Sequence, residues 1–325
     1  MGLSEFALID RFFRGVGAER RDVAVSVGDD AAVLDVPSGR QLVAALDTLV
    51  EGVHFPVGSP ARSVGHRVLA VNLSDLAAMG AEPAWALLAL TLRRADERWL
   101  ADFSHGFGAL ASLYNVALVG GDTTSGPLSA TVQMLGFIEP GTALRRSGGA
   151  PGDALFVSGT PGDAAAGLQL EQGQLSVADS QLASQLRARF LYPTPRIELG
   201  RRLRGIASAC IDVSDGLLGD AAKLAAASGC GASLDFDELP LSTALTSAVG
   251  ASRARELALT GGDDYELCFS VPASRVDRLL TQLPPQEWGY RRIGSLHEAP
   301  GVQIVHRGTV MDFSHSGFDH FSAAD

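Results

Sequence analysis

The most informative nine residues of the chain are Ala209-Cys210-Ile211-Asp212-Val213-Ser214-Asp215-Gly216-Leu217. Their mostly apolar first half predicts a buried strand, which we expect to end in the turn Ser214-Asp215-Gly216. The residues that follow predict a helix through Ala227. A strand, an acidic turn and a helix in succession are typical of α/β domains, in which ligands concentrate in the loops beyond the strands.

The rest of the chain continues this succession of strands and helices. The first half predicts about six strands mixed with two or three helices. Val116 to Val119 and Ala130 to Ile138 are expected strands on either side of a loop, Gly120-Gly121-Asp122-Thr123-Thr124. The expected helices of this half follow Ser4 and span Pro60 to Met79 and Glu97 to Leu113.

A segment rich in Gly, Pro and Arg, Pro140 to Gly152, interrupts the pattern and is our candidate boundary. The chain of 325 residues is long enough for roughly two domains. We therefore predict an α/β or α+β protein with domains at 1–140 and 141–325.

Composition and charge exclude several classes of protein. Hydrophobic residues make up 46% and charged residues 19%, which is typical of a folded chain with large cores. A net charge of −11 makes the chain a poor non-specific binder of nucleic acid or anionic membranes. It shows no signal peptide, no apolar run that could cross a bilayer and no Cys-x-x-Cys pair among its three cysteines. We expect a soluble cytoplasmic protein with reduced, mostly buried thiols.

The chain contains a single lysine, Lys223, which lies in neither a Walker A loop nor a protein-kinase strand motif. Any phosphate chemistry must then rely on arginine, backbone N–H groups or metal ions.

Carboxylates recur where predicted strands end. They are Asp29, Asp30, Asp47, Asp122, Asp212, Asp215, Asp263 and Asp264. Each Gly-Asp pair could equally be an ordinary turn. Asp75 differs because it lies in the middle of an apolar helix, where a charge is costly unless it is paired or coordinates a metal. With no arginine between Arg67 and Arg93, a metal is the better partner, and the alternative is an aspartate that faces solvent. Aspartates without His or Cys partners suit a hard cation such as Mg²⁺, which commonly shares its shell with substrate phosphates.

Six motifs occur together along the chain. They are Gly28-Asp29-Asp30-Ala31-Ala32-Val33, Asp47-Thr48-Leu49-Val50-Glu51-Gly52-Val53-His54-Phe55, Val71-Asn72-Leu73-Ser74-Asp75-Leu76-Ala77-Ala78-Met79-Gly80, Gly120-Gly121-Asp122-Thr123-Thr124, Ile211-Asp212-Val213-Ser214-Asp215-Gly216-Leu217 and Gly261-Gly262-Asp263-Asp264-Tyr265-Glu266-Leu267. With the closing Gly317-Phe318-Asp319-His320-Phe321, the set resembles the thiamine-monophosphate kinase family, within the aminoimidazole-ribonucleotide synthetase-like superfamily.

The resemblance implies a fold and a reaction. An N-terminal domain with a mixed sheet would bind Mg²⁺ and ATP and dimerise with its copy into a barrel-like core. A C-terminal α/β domain would close over the nucleotide. The reaction would be transfer of the ATP γ-phosphoryl group to thiamine monophosphate, which yields thiamine diphosphate. This transfer would be the last step of thiamine diphosphate biosynthesis. The acceptor phosphate is already an anionic nucleophile near neutral pH, so no residue is expected to act as a catalytic acid or base.

The resemblance also assigns roles to individual residues. Several Mg²⁺ ions would be held by Asp30, Asp47, Asp75, Asp122, Asp212 and Asp215. ATP would contact Gly121, Asp122, Arg146 and Ser214, and thiamine monophosphate would contact His54, Asp263 and Phe318. On the residues alone, Arg146 could equally be a solvated linker arginine, His54 a surface histidine and Phe318 part of a core.

Two departures from the family pattern concern the site itself. The chain has Ala45 and Leu46 where small hydroxyl residues are usual, and Asp263 where glutamate is usual. These changes leave open a non-catalytic sensor of nucleotide or thiamine phosphate. Another ATP-dependent enzyme of the same superfamily is the other alternative.

Overall fold

The computed structural model describes residues 4–311, and these residues divide into two units. The first unit extends to Leu76 and resumes over Ala81–Gly141, and the second comprises Ala77–Gly80 and the chain from Thr142 onward. Over the described residues, no helix is both long and apolar enough to cross a membrane.

The first unit contains a four-stranded sheet with strand order β3-β6-β4-β5 and a separate two-stranded ribbon, β1-β2. Only β4 and β5 run parallel, and β6 pairs antiparallel with β3 and β4. Its elements are α1 (Glu5–Phe12), β1 (Val23–Val25), β2 (Val33–Leu34), β3 (Gln41–Val50), α2 (Ala61–Ala78), β4 (Glu82–Leu92), α3 (Glu97–Leu113), β5 (Ala117–Ser125) and β6 (Ser129–Ile138).

The two faces of this sheet differ in burial. Along β6, Ala130, Val132 and Met134 are buried, whereas the intervening residues Thr131 and Gln133 are half-buried or exposed. Because side chains alternate along a strand, one face of the sheet is covered and the other is open. The open face carries apolar side chains, which include Leu42 at 49% exposure and Leu46 at 61%.

The second unit is built on a seven-stranded sheet with the order β13-β12-β9-β11-β7-β10-β8. Only β9 and β12 pair in parallel. Its strands are β7 (Ala154–Ser158), β8 (Ala209–Val213), β9 (Gly231–Asp235), β10 (Glu266–Val271), β11 (Tyr290–His297), β12 (Gly301–His306) and β13 (Thr309–Met311). Its helices are α4 (Asp163–Glu171), α5 (Ser180–Leu191), α6 (Ile197–Leu203), α7 (Leu217–Ala227), α8 (Thr243–Val249), α9 (Ala251–Thr260), α10 (Val276–Gln282) and α11 (Pro285–Trp288), with a 3₁₀ turn at Ala273–Arg275.

All three cysteines lie in this unit, and all are buried and free, as the sequence predicts. Cys210 is on β8 and Cys268 is on the neighbouring β10. Burial raises the pKa of both thiols, so both stay protonated at neutral pH.

The structure corrects the expected loop at Gly120-Gly121-Asp122-Thr123-Thr124, which lies inside β5. Gly121 pairs there with Leu88, and a Cβ on Gly121 would stand 1.8 Å from the Leu88 carbonyl oxygen. The glycine therefore permits a close approach of two strands instead of marking a turn. Asp47 likewise lies within a strand and not beyond its end.

Candidate functional site

In the first unit, a buried asparagine connects the strand of Asp47 to the helix of Asp75. Asn72 Oδ1 accepts a hydrogen bond from the Asp47 backbone N–H at 3.1 Å, and its Nδ2 donates to the Val68 carbonyl at 2.9 Å. Asp75 follows Asn72 by three residues on α2, and residues at that spacing share one helix face. Both carboxylates are half-buried, and the helix around Asp75 is otherwise almost entirely buried.

Asp122 stands apart from Asp47 within the same sheet. Asp47 is in register with Val132 and Leu88 on the covered face, whereas Asp122 pairs with Ala89 in the next row, on the open face. Two strands separate β3 from β5, so the two backbones are about 14 Å apart. Leu46, one of the two departures from the family pattern, points to the open face, away from the Asp47 side chain.

Asp30 is exposed in the turn after β1, where its backbone N–H donates to Asp29 Oδ1 at 2.8 Å. Over residues 4–311, the structure brings no three His, Cys, Asp or Glu side chains together in a group that could hold a metal ion.

His54 is held by the backbone of Val50 in both directions. The His54 N–H donates to the Val50 carbonyl at 2.9 Å, and the Val50 N–H donates to His54 Nδ1 at 3.0 Å. Because Nδ1 accepts, the neutral ring carries its proton on Nε2 and presents a donor there. Arg67, at 1% exposure, approaches the His54 carbonyl with Nη2 at 3.4 Å.

In the second unit, Ser214 and Asp215 lie in the turn directly after β8, as predicted, and Asp212 is the second-last residue of that strand. Asp212 is buried at 6% exposure, and Ser214 and Asp215 are half-buried. Asp220 Oδ2 accepts hydrogen bonds from the backbone N–H groups of Ser214 and Asp215, both at 3.0 Å. This buried carboxylate therefore fixes the turn that carries two of the predicted ligand-binding residues.

The only lysine of the chain reaches this turn. Lys223 Nζ lies 2.5 Å from Asp215 Oδ2 and 2.9 Å from Asp220 Oδ1. Burial raises the pKa of Asp220, and the Lys223 ammonium partly offsets that rise. Burial acts to lower the pKa of Lys223, but the two carboxylates outweigh it and raise that pKa above its ordinary value. The lysine is therefore fully charged at neutral pH.

The segment that carries Asp263 has an uncommon backbone. Asp263 has φ +70° and Tyr265 has φ +52°, a region in which bulky side chains are strained. The Tyr265 hydroxyl donates to Asp263 Oδ1 at 3.2 Å. Between them, buried Asp264 accepts from the N–H groups of Gly162 at 2.7 Å and Ala164 at 3.3 Å, which anchors the segment to the start of α4. Burial raises the pKa of Asp264 well above its ordinary value.

Two other predicted residues have a simpler outcome. The Arg146 side chain is exposed, and its carbonyl accepts from Ser228 Oγ at 3.1 Å. Phe318, together with the closing motif, lies outside the described residues.

Comparisons with family models, with curated proteins and with solved structures point to the same family over nearly the whole chain. Residues 28–138 match the AIR synthase related protein N-terminal domain, and residues 150–307 match the C-terminal domain. Thiamine-monophosphate kinase of Salmonella typhimurium is 46% identical over 99% of both chains. The chain belongs to the thiamine-monophosphate kinase family. The thiamine-monophosphate kinase structure from Stenotrophomonas maltophilia has a TM-score of 0.85 and 48% identity, covering 94% of this chain and 97% of that one.

A second solved structure, AaThiL complexed with AMPPCP and TMP, has a TM-score of 0.77 and 32% identity. It covers 91% of this chain and 92% of that one. Both confirm the two-domain mixed α/β fold that the family resemblance implies.

The family's expected Mg²⁺ is compatible with the donors in each unit. Asp47 and Asp75 supply two carboxylates, from a strand and a helix that Asn72 joins by a hydrogen bond. Asp212 on β8 and Asp215 in the following turn supply two more. Hard oxygen donors of this kind hold Mg²⁺ when water and phosphate oxygens complete the shell. In the family's terms, Asp47 and Asp75 would hold metal in the first unit, and Asp212 and Asp215 would do so in the second.

Several residues at or beside these segments escaped the sequence analysis. Asn72 is an amide within the motif of Asp75, and Asp220 belongs to a Gly-Asp pair. Neither pattern in the sequence shows which group the side chain binds. The sequence analysis also missed the partners of Glu266. This residue is fully buried and is bound by Arg189, Arg196 and Ser158.

Proposed function

We propose that this chain transfers the γ-phosphoryl group of ATP to thiamine monophosphate, yielding ADP and thiamine diphosphate. The supporting observation is that a relative 32% identical over 91% of this chain is solved in complex with AMPPCP and TMP, a nucleotide analogue and the acceptor. The curated relatives named thiamine-monophosphate kinase match the chain end to end.

The acceptor needs no general base because its phosphate is already mostly a dianion near neutral pH. The obstacle is instead the repulsion between two highly charged anions. His54 is oriented to donate through Nε2 to an anionic acceptor, and its Nδ1 is engaged by Val50, so it acts as a donor and not as a base. Bound Mg²⁺ would neutralise the charge that develops on the transferred group.

We assign separate roles to the two parts of the chain. Residues 1–140 carry Asp30, Asp47, Asp75 and Asp122 for metal and nucleotide, together with His54 for the acceptor. Residues 141–325 carry Asp212 and Asp215 for metal, Arg146 and Ser214 for ATP, and Asp263 and Phe318 for the acceptor. We place the protein in the cytoplasm, where its three buried thiols would stay reduced.

We propose in addition that two copies of the chain form a homodimer through the open face of the four-stranded sheet. Leu42 and Leu46 are exposed there, and a second sheet packed on this face would remove them from water. Asp122 also lies on this open face and would stand at the interface between the copies, whereas the Asp47 side chain lies on the covered face of its own copy.

The decisive experiment incubates the purified chain with ATP, Mg²⁺ and thiamine monophosphate and follows thiamine diphosphate by chromatography. We expect metal-dependent product from the monophosphate and none from free thiamine. Binding of ATP or thiamine monophosphate without any product would contradict the kinase and favour the sensor.

A further inference from the structure

Lys223 is the only lysine among the chain's 26 basic residues, and it lies at a predicted metal ligand. Its ammonium is within hydrogen-bonding distance of Asp215 Oδ2, at 2.5 Å, and of Asp220 Oδ1, at 2.9 Å. The sequence offers no motif for this lysine, and the fold explains its position. Asp220 and Lys223 are one helical turn apart on α7, and Asp215 precedes that helix by two residues.

The arrangement around the ammonium is fixed on one side. Asp220 is at 2% side-chain exposure, and its second oxygen is engaged by the Ser214 and Asp215 backbone N–H groups. A buried carboxylate held by three donors has little freedom to move, so it fixes the position of the Lys223 head. Asp215 and Lys223 remain accessible, with 35% and 45% side-chain exposure.

The charges then set a competition for Asp215. A divalent ion on Asp215 would lie about 2 Å from a carboxylate oxygen. The ammonium is 2.5 Å from Oδ2 of the same carboxylate. Two positive charges on one carboxylate group repel each other at a separation of about 4 Å, where a unit pair costs roughly 1–4 kcal/mol, more for a divalent ion.

We propose that the Lys223 ammonium is the resident cation of Asp215 and excludes a divalent ion from that carboxylate. This inference rests on the proposed function and revises one part of it: Asp215, a metal ligand by the family pattern, holds the Lys223 ammonium in this chain in place of a divalent ion. It means that this chain uses one divalent ion fewer than its acidic residues would suggest. The ammonium supplies that positive charge permanently.

The test measures metal binding and not only activity. The number and affinity of bound Mn²⁺ ions would be determined by electron paramagnetic resonance on the full chain saturated with AMPPCP. The variants are Lys223→Met, which removes the charge but keeps the aliphatic stem, Lys223→Arg, which keeps a cation, and the double variant Lys223→Met with Asp215→Asn. Thermal melting of each variant would establish that it is folded.

We expect the wild type and Lys223→Arg to bind the same number of Mn²⁺ ions. Lys223→Met should bind one more ion per chain, or bind its weakest ion at least about tenfold more tightly. The Asp215→Asn change should abolish that gain, which would place the extra ion at Asp215.

Unchanged Mn²⁺ binding in a folded Lys223→Met variant would overturn the inference, and so would a gain that survives Asp215→Asn. If Lys223→Met instead loses its affinity for AMPPCP, the lysine binds a phosphate and the inference is wrong. If the wild type forms product and Lys223→Met binds metal as the wild type does, only this inference is overturned. A wild-type chain that binds no Mn²⁺ and forms no product would overturn the proposed function as well.

Discussion

Arg196 binds Glu266 through two parallel hydrogen bonds, from Nε to Oε2 and from Nη2 to Oε1, both 2.6 Å long. Arg189 Nη2 adds a third at 2.6 Å, and Ser158 Oγ a fourth at 2.5 Å. Burial alone would raise the pKa of Glu266, but the Arg196 and Arg189 guanidinium groups lower it below its ordinary value. Glu266 is therefore an ionised carboxylate with no exposure to solvent.

Glu266→Gln should destabilise the second unit strongly. Removing one partner of a buried ion pair leaves uncompensated charge, and we expect a loss of about 3–5 kcal/mol in the free energy of unfolding. Urea denaturation at pH 7 would measure it, with Glu256→Gln as a matched surface control because Glu256 forms an exposed pair with Arg253. A loss below about 1 kcal/mol would show that the cluster contributes no more than a surface pair.

The same substitution should have a pH-dependent effect. The folded-state pKa of Glu266 is lowered, so its stabilising contribution is present above the ordinary glutamate pKa and is lost as the pH falls through the lowered value. The stability difference between the wild type and Glu266→Gln should therefore be constant around neutral pH and shrink only in acid, below the ordinary glutamate range. Denaturation curves at a series of pH values would check this, and a difference that grows in acid would contradict it.

His54 can be tested with two amides that replace different ring nitrogens. Glutamine places a donor near the Nε2 position, whereas asparagine reproduces only the Nδ1 position that Val50 engages. We expect His54→Asn to raise the KM for thiamine monophosphate about 10- to 100-fold, the value of a hydrogen bond to a charged group. His54→Gln should retain most of the affinity. Steady-state kinetics would compare them, and equal losses in both variants would argue against an Nε2 donor.

Tyr265→Phe removes the hydroxyl that donates to Asp263 and keeps the ring. Since Asp263 is the predicted acceptor contact, its carboxylate should become less well oriented, and the KM for thiamine monophosphate should rise about 2- to 10-fold. The turnover number should change little. Kinetics with each substrate varied would separate the two effects. A fall in kcat with unchanged KM would show that the hydroxyl does not act through substrate binding.

A charge on the open face of the four-stranded sheet would test the proposed homodimer. Leu46→Asp places a carboxylate where the second copy would exclude water, so we expect the variant to be a monomer. Light scattering would measure the mass, with Val57→Asp as a control because Val57 is exposed outside the sheet. A Leu46→Asp variant with the mass of the wild type would contradict this interface.

The sequence predicted most elements of the fold because their apolar patterns are strong. The helix Glu97–Leu113 and the strand Ala209–Val213 have the expected bounds. The helices Thr243–Val249 and Ala251–Thr260 were not predicted. The sequence does contain a helix-start signal there, since Ser242 caps the first helix by accepting from the Leu245 N–H.

The prediction of a loop over Gly120 to Thr124, which lie in β5, was wrong for a different reason. Adjacent glycines usually indicate a turn, and only the pairing with β4 shows that Gly121 is required by a close approach of strands. Contacts between residues far apart in sequence limited the prediction of the second unit's buried ion pairs in the same way. Glu266 is 70 residues from Arg196 and 77 from Arg189 in sequence, and no local pattern could bring them together.

The buried thiols of Cys210 and Cys268 have an experimental consequence. They lie on adjacent strands, away from solvent and protonated, so a thiol reagent can react only after the strands part. The rate at which the native chain is labelled at these two positions would therefore report how often the centre of the second unit opens. The native cysteines therefore report that motion, and no labelling site has to be introduced by mutation.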